Sequence, residues 1–203
     1  MSDSTVVSLP LHEAPSAGQL EELLALQRSV LQQLASGADL DTILDELCRM
    51  VEGLVPGTVA SIMLFDEAAQ VLRVRSAPSL PVEAFEAFSC LVPGEGQGSC
   101  GNAIISGTPV FVSDALVDPR WDNLRNIARQ FGIRHCWSIP ILGHDRKPVG
   151  TLAITGFEVR EPSGFHMRLL QTASSLASIA LQGAHTREEL ARSQSRLTEI
   201  AAA

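Results

Sequence analysis

The 203-residue sequence has few basic residues, and they form no cluster. It contains 15 Lys and Arg against 23 Asp and Glu, which gives a formal net charge of -8 and a pI near 5.1. Without a basic patch we expect no nucleic-acid partner. The sequence also lacks a run of 18 apolar residues and an apolar N-terminal signal. We therefore expect no membrane partner and a cytoplasmic location.

Cysteine is also scarce, and its spacing excludes the usual zinc sites. The four cysteines are Cys48, Cys90, Cys100 and Cys136. None forms a Cys-x-x-Cys pair, so we expect no metal. In a reducing compartment they are predicted to be free thiols, and a buried free Cys usually packs as a small hydrophobe.

The length and composition suit one domain of about 150 residues with helical extensions, since 45% of the residues are hydrophobic. Residues 1–18 show no periodicity and are predicted to be a disordered tail. Residues 19–38 are assigned to an N-terminal helix that Gly37 ends. Asp39 is predicted to cap a second helix, Leu40–Leu54, with apolar residues at helical spacing.

The middle of the chain predicts an antiparallel sheet of five or six strands with short helices between them, an α+β fold. Residues 59–65 and 71–75 form a hairpin with Arg73 and Arg75 facing water. The other expected strands and helices are, in order, helix 82–88, helix 100–106, strand 109–112, helix 123–131, strand 136–142 and strand 149–155.

From Gly164 onward the pattern is one long helix. Leu169, Leu176, Leu190 and Leu197 follow a seven-residue repeat that only Gly183 breaks, and Ile179 and Ile200 occupy a second heptad position. The first half is expected to cover the sheet. Residues 184–203 have little domain left to cover, so we predict a coiled coil and a homodimer.

The stretch Gly94–Pro140 concentrates unusual residue types: four glycines among eight positions from Gly94 to Gly101, two cysteines and both tryptophans. The glycines allow a loop to fold closely over the sheet. A helix start near Cys100 exposes backbone N–H groups that suit an anionic or carbonyl-bearing ligand. A phosphate loop is disfavoured, because no Gly-Lys-Ser/Thr ending follows.

In chain order, the lead helix and the hairpin precede five motifs: Gly-Ser-Cys-Gly-Asn-Ala, Pro-Val-Phe-Val-Ser-Asp, Asp-Pro-Arg-Trp, Cys-Trp-Ser-Ile-Pro-Ile and Val-Gly-Thr-Leu-Ala-Ile. This order closely resembles GAF domains, small-molecule sensory modules of bacterial signalling proteins, over residues 39–183. It looks most like those beside histidine-kinase, diguanylate-cyclase and cyclic-di-GMP phosphodiesterase domains. The resemblance implies a fused or separate output domain reached through flanking helices.

The resemblance further implies two long helices on one sheet face and, on the other, a pocket roofed by residues 94–131. We call this segment the roof. The ligand itself is left open, with cyclic nucleotides and haem among the family's options. The residues expected to bind ligand are Ser61, Met63, Phe88, Cys100, Ala103, Asp114, Leu116, Trp121, Cys136 and Ser138.

Several of these residues have two interpretations. Cys100 is either a small packed residue or, beside a helix N-terminus, a redox-responsive thiolate. His135 alternates with Cys136 along a strand, so only one of the two faces the pocket; a haem ligand at His135 is the alternative to a hydrogen-bonded residue. Trp121 is expected to be an apolar lid. For Asp114 and Asp118, turn or capping roles are predicted.

A competing hypothesis is enzymatic. Some small GAF proteins reduce free methionine-R-sulfoxide with cysteines, and Cys90 and Cys100 match their first two. The principal catalytic cysteine of that family lies in the segment after the Ser113-Asp114 strand, where residues 118–126 of this chain contain none. We therefore expect a sensor rather than an enzyme, with Cys90 and Cys100 as the redox candidates.

Overall fold

The computed structural model describes residues 15–201, with side chains up to residue 197. Its elements are α1 (Ala17–Ser36), α2 (Leu40–Leu54), β1 (Thr58–Asp66), β2 (Val71–Ser76), α3 (Val82–Phe88), α4 (Gly98–Ser106), β3 (Val110–Val112), a 3-10 helix (Pro119–Leu124), α5 (Arg125–Phe131), β4 (His135–Leu142), β5 (Pro148–Gly156) and α6 (Gly164–Ala201). Residues 1–14 of the predicted tail lie outside this range.

Helix α1 begins at Ala17, two residues before the predicted start. Ser16 is the reason: its Oγ accepts a hydrogen bond from the backbone N–H of Gln19, whose side chain accepts the N–H of Ser16. Gly37 ends the helix in a left-handed conformation. Asp39 caps α2 by accepting the N–H of Thr42 at 3.0 Å, as the sequence predicted.

The five strands form one antiparallel sheet in the order β2-β1-β5-β4-β3. This confirms the predicted α+β class and the β1–β2 hairpin. Arg73 and Arg75 are exposed, as expected from the alternation in β2. Strand β4 is buried over seven of its eight residues because helices cover one face of the sheet and the roof covers the other.

Helices α1, α2 and α6 pack on one face of the sheet and form the larger core. Trp137 is fully buried there, within the core that the helices form. Two serines of α6 attach the helix to β4: Ser174 Oγ donates to Pro140 O at 2.8 Å, and Ser178 Oγ donates to Leu142 O. These bonds hold α6 against the strand that also forms the pocket floor.

The opposite face carries α3, α4, the 3-10 helix and α5 over a second apolar core. The single helix predicted for residues 123–131 is wrong at its start. Asp118 accepts the backbone N–H of Arg120 at 2.9 Å, and Pro119 fixes the first helical φ, so a 3-10 turn forms before α5 begins at Arg125.

The C-terminal part of α6 leaves the domain. Leu169 and Leu176 are buried, whereas Leu190 and Leu197 are 58% and 65% exposed. Every described side chain from residue 185 to residue 197 is exposed. The side chain of Ile200 is outside the described residues. Within the described part of the chain, no helix has the length and apolar character needed to span a bilayer.

Candidate functional site

A small cavity lies between the sheet and the roof. Its volume is about 60 Å³, room for several water molecules or one small ligand. Six predicted pocket residues line it: Ser61, Met63, Phe88, Cys100, Trp121 and Cys136. Strands β1 and β4, the first turn of α4, α3 and the 3-10 helix therefore contribute these six residues to one cavity.

The strands supply the floor through their period of two. Ser61 and Met63 point to the cavity from β1. Ala60 and Ile62, which alternate with them along the strand, pack in the core on the helix side of the sheet. Cys136 on β4 pairs in register with Thr155 on β5, and both face the cavity.

A hydrogen-bonded chain closes the roof onto this floor. The indole Nε1–H of Trp121 donates to Ser99 Oγ at 3.1 Å, and Ser99 Oγ donates to the carbonyl oxygen of Cys136 at 2.8 Å. Trp121 and Ser99 are only 3% and 1% exposed. Trp121 is thus the predicted lid, held by a polar bond as well as by packing.

Gly98 lets the start of α4 approach this lid. Its φ is +70°, and a Cβ there would lie 2.9 Å from Leu124 Cδ1 and 3.6 Å from the Trp121 ring. A side chain at this position would both strain the backbone and separate the roof from α4.

Two thiols face each other in the cavity wall. The Cys136 thiol donates a hydrogen bond to the Cys100 sulfur, and this bond lowers the pKa of Cys100 to about 7 despite its burial. The same bond, together with burial, raises the pKa of Cys136. Ser138 Oγ lies 3.4 Å from the Cys100 sulfur and Thr155 Oγ1 lies 3.6 Å from that of Cys136. The pair thus has one acidic thiol and one that retains its proton.

Four predicted pocket residues do not line this cavity. Ala103 is fully buried in the core behind it, and Ser138 reaches only the Cys100 sulfur. Asp114 pairs with Arg134 at 2.9 Å and accepts the N–H of Leu116 at 3.1 Å. Arg134 holds the pKa of Asp114 below its usual value. Asp114 and Leu116 therefore shape the strand end and its turn, which is the turn role also predicted for Asp114.

The sequence reasoning missed ten lining residues: Val59, Val74, Leu80, Leu91, Gln97, Gly98, Ser99, Leu124, Ile133 and Thr155. Strand alternation could have identified Val59, two positions before Ser61, and Thr155 once the sheet order was known. Leu80 and Ile133 lie in connecting segments, where no periodic signal exists.

His135 lies on the other side of the sheet. Its ring stacks on Trp137 with centroids 4.6 Å apart, and its Nδ1 bonds the Glu158 carbonyl at 2.7 Å. Burial lowers the pKa of His135. The hypothesis that His135 ligates a haem in the pocket is therefore wrong, because the alternation of β4 points Cys136 toward the cavity instead.

The two remaining cysteines are separate from the cavity. Cys90 is exposed, and its sulfur accepts a bond from Arg73 Nη1 at 3.0 Å. Cys48 is a buried residue of α2, and burial raises its pKa to about 12. The structure thus pairs Cys100 with Cys136 rather than with Cys90, its partner in the predicted redox pair.

The cavity wall is apolar apart from hydroxyls, thiols and one amide. Among the described residues that line it, none is Asp, Glu, Lys, Arg or His. The described part of the chain also contains no cluster of three or more His, Cys, Asp or Glu side chains suited to a metal ion. The wall therefore suits a small neutral molecule better than a charged one.

The profile of the GAF domain family matches residues 37–182, the segment that forms the sheet, the roof and the first half of α6. The chain belongs to the GAF domain family. The predicted boundary of residues 39–183 is close to this match.

This GAF domain is 30% identical over 182 residues to the methyl sulfide methyltransferase-associated sensor of Methanosarcina acetivorans. The similarity covers 90% of the chain but 18% of that sensor. The chain thus spans about a fifth of the length of this curated relative.

Two solved structures show the same fold. The GAF domain of the Acinetobacter phosphoenolpyruvate-protein phosphotransferase has a TM-score of 0.68 at 21% identity, covering 86% of this chain and 99% of that one. The free methionine-R-sulfoxide reductase of Neisseria meningitidis has a TM-score of 0.69 at 17% identity, covering 87% and 98%. At these identities the likeness concerns the fold.

Proposed function

We propose that this GAF domain is a sensory module that binds a small, uncharged molecule in the cavity and transmits its occupancy through dimeric flanking helices. The observation that carries the proposal is the apolar cavity beneath the roof. Its floor includes β4, and the other face of β4 contacts α6, the helix that projects from the domain. The sensor relative supports the signalling class.

The lining restricts the ligand. Among the described lining residues none is a cation, Asp or Glu, so a phosphate or a zwitterion that enters the cavity would lose hydration that nothing replaces. A cavity of about 60 Å³ is also well below the roughly 300–1,000 Å³ of sites that hold drug-sized ligands. Cyclic nucleotides and haem therefore fit poorly, whereas a small neutral molecule with one hydrogen-bonding group suits Ser61, Gln97 and Thr155.

The route to the helix follows β4. Cys136 faces the cavity, and four and six residues further along the strand the carbonyls of Pro140 and Leu142 accept bonds from Ser174 and Ser178 of α6. A ligand that shifts the floor therefore also moves the surface on which α6 rests. For signalling, it must bind two α6 arrangements with different affinity.

The dimer part of the proposal is supported by the exposed end of α6. Residues 185–201 extend about 25 Å at 1.5 Å per residue, and Leu190 and Leu197 lie in one heptad position without cover from the domain. A short isolated helix is marginal in water, so a second copy of α6 is the proposed cover. An output domain, fused or separate, would receive the change.

Ligand binding is tested by filling the cavity. Val74 is half-buried and lines it, so Val74→Phe should occupy the space, while Val82→Phe changes a residue that is 70% exposed. Ligand-observed NMR against a library of neutral fragments should show hits with the wild type and Val82→Phe that Val74→Phe loses. Identical hit lists for all three proteins would contradict the site.

Dimerisation is tested on the projecting helix. Leu190→Glu combined with Leu197→Glu, or deletion of residues 190–203, should lower the mass measured by light scattering toward that of a monomer. Ser195→Glu adds a charge on the opposite side of the helix and should leave the mass unchanged. A wild-type mass that equals one chain across the concentration series would refute the dimer.

The reductase is the competing function, favoured only by the shared fold. Cys90 lies on the surface beside Arg73, and residues 118–126 form a 3-10 helix and the start of α5 without a cysteine. We expect no loss of free methionine sulfoxide when the protein is incubated with it and a thiol reductant. Consumption that stops in Cys100→Ser would make the protein a reductase.

A further inference from the structure

The two cavity thiols belong to different elements that pack together. Cys100 is in the first turn of α4 and Cys136 is on β4. The bond from Ser99 Oγ to the Cys136 carbonyl ties the adjoining backbones at 2.8 Å. Ser138, two residues after Cys136 on the same strand face, holds the Cys100 sulfur at 3.4 Å. Cys100 is thus fixed over β4, and its thiol lines the same cavity as that of Cys136.

The surroundings distinguish the two sulfurs chemically. Each sulfur accepts one hydroxyl hydrogen bond, Cys100 from Ser138 at 3.4 Å and Cys136 from Thr155 at 3.6 Å. The hydrogen bond between the thiols lowers the pKa of Cys100 and, together with burial, raises the pKa of Cys136. An acidic thiol beside one that keeps its proton is the arrangement in which the first reacts and the second resolves the product. Cys48 lacks such a neighbouring thiol among the described residues and is made less acidic by burial.

The cavity gives a small reagent access to both atoms. Cys100 and Cys136 line it together, and its volume of about 60 Å³ exceeds the roughly 10–15 Å³ that one water requires. The apolar wall admits a neutral hydroperoxide more readily than a charged oxidant.

We propose that Cys100 and Cys136 form a reversible intramolecular disulfide when a small neutral hydroperoxide enters the cavity. The Cys100 thiolate attacks one oxygen of the peroxide, the O–O bond breaks, and the alkoxide or hydroxide that leaves takes up a proton. Cys100 is then a sulfenic acid. The Cys136 sulfur attacks the Cys100 sulfur, and the hydroxyl leaves as water with the thiol proton.

Over these two steps the two thiols are oxidised to a disulfide and one peroxide is reduced. The products are an alcohol and one water from an alkyl hydroperoxide, or two waters from hydrogen peroxide. The disulfide would lock α4 to β4 and thereby fix the roof on the floor. The proposal concerns the thiols alone and stands whether or not the domain signals.

The test uses the full chain, reduced and then exposed to hydrogen peroxide. Remaining thiols are alkylated under denaturing conditions, and the protein is digested and mapped by mass spectrometry. The expected product has lost two hydrogens, links the peptides of Cys100 and Cys136, and returns to the dithiol with dithiothreitol. Cys48 and Cys90 should still be alkylated.

Single substitutions separate the two steps. In Cys136→Ser, dimedone should trap Cys100 as the sulfenic acid. In Cys100→Ser, labelling at Cys136 should be at least about tenfold weaker, because burial alone still raises the pKa of Cys136. Cys90→Ser, an exposed matched control, should form the disulfide as the wild type does. Circular dichroism checks that each variant is folded.

The wild-type map decides the question even if a variant does not fold. A disulfide that includes Cys90, a link between two chains, or Cys100 left reduced while the exposed Cys90 is oxidised would each overturn the proposal.

Discussion

Replacing Ser99 with Ala is expected to loosen the roof, because one hydroxyl bonds both the lid and the floor. Ser99→Ala leaves the indole N–H of Trp121 buried without an acceptor, at a cost of about 1–3 kcal/mol. It also removes one bond to the Cys136 carbonyl, worth about 1 kcal/mol. Ser and Ala are similar in volume, so no cavity penalty is added. The free energy of unfolding should fall by about 2–4 kcal/mol.

Urea unfolding of the wild type, Ser99→Ala, Trp121→Phe and the double variant measures this loss and its origin. In a Trp121→Phe background no indole N–H remains to be orphaned, so Ser99→Ala should cost only about 1 kcal/mol there. The difference gives a coupling energy of about 1–3 kcal/mol between the two residues. Ser106→Ala, at the exposed end of the same helix, is the control and should change stability by less than about 0.5 kcal/mol.

The loosened roof should also expose the thiol beneath it. Iodoacetamide at neutral pH should label Cys100 faster in folded Ser99→Ala than in the wild type. A loss of stability below about 0.5 kcal/mol, or additive effects of the two substitutions, would refute the argument that this hydroxyl joins roof to floor.

Three further predictions concern His166, Gly98 and Asp114. Burial lowers the pKa of His166 from 6.5 to about 4, so between these pH values the unfolded chain binds a proton that the folded chain does not. The free energy of unfolding should therefore fall as the pH drops from about 6.5 to about 4. His166→Gln, which can keep the bond to Ser163, should flatten that slope in urea titrations. Gly98→Ala should cost about 1–3 kcal/mol because of its positive φ, with a drop in melting temperature. Asp114→Asn should cost at most about 1 kcal/mol, since Arg134 is partly exposed, and should leave fragment binding unchanged.

Periodicity was sufficient to predict most of the scaffold. The i, i+3, i+4 spacing and Asp39 predicted α2 with its observed bounds, and alternation in β4 placed His135 and Cys136 on opposite sheet faces. These features depend on residues close in sequence. The start of α1 was missed because its cap, Ser16, lies in a segment with no apolar pattern.

The site was only half predictable because it depends on long-range packing. The contact between Cys100 and Cys136 joins residues 36 positions apart and requires α4 to fold back over β4, which no local pattern specifies. Likewise, Ser99 resembled an ordinary helix-start residue until Trp121 and the Cys136 carbonyl were placed beside it. The order of the GAF motifs located the roof but not the atoms that close it.

Native mass spectrometry of freshly purified wild type and Val74→Phe tests the central claim most directly, because one spectrum reports both bound mass and oligomer. We expect a wild-type dimer that carries a small added mass per chain, and a Val74→Phe dimer without it. A monomeric wild type, or an added mass that Val74→Phe retains in full, would contradict a ligand-sensing cavity coupled to dimeric helices.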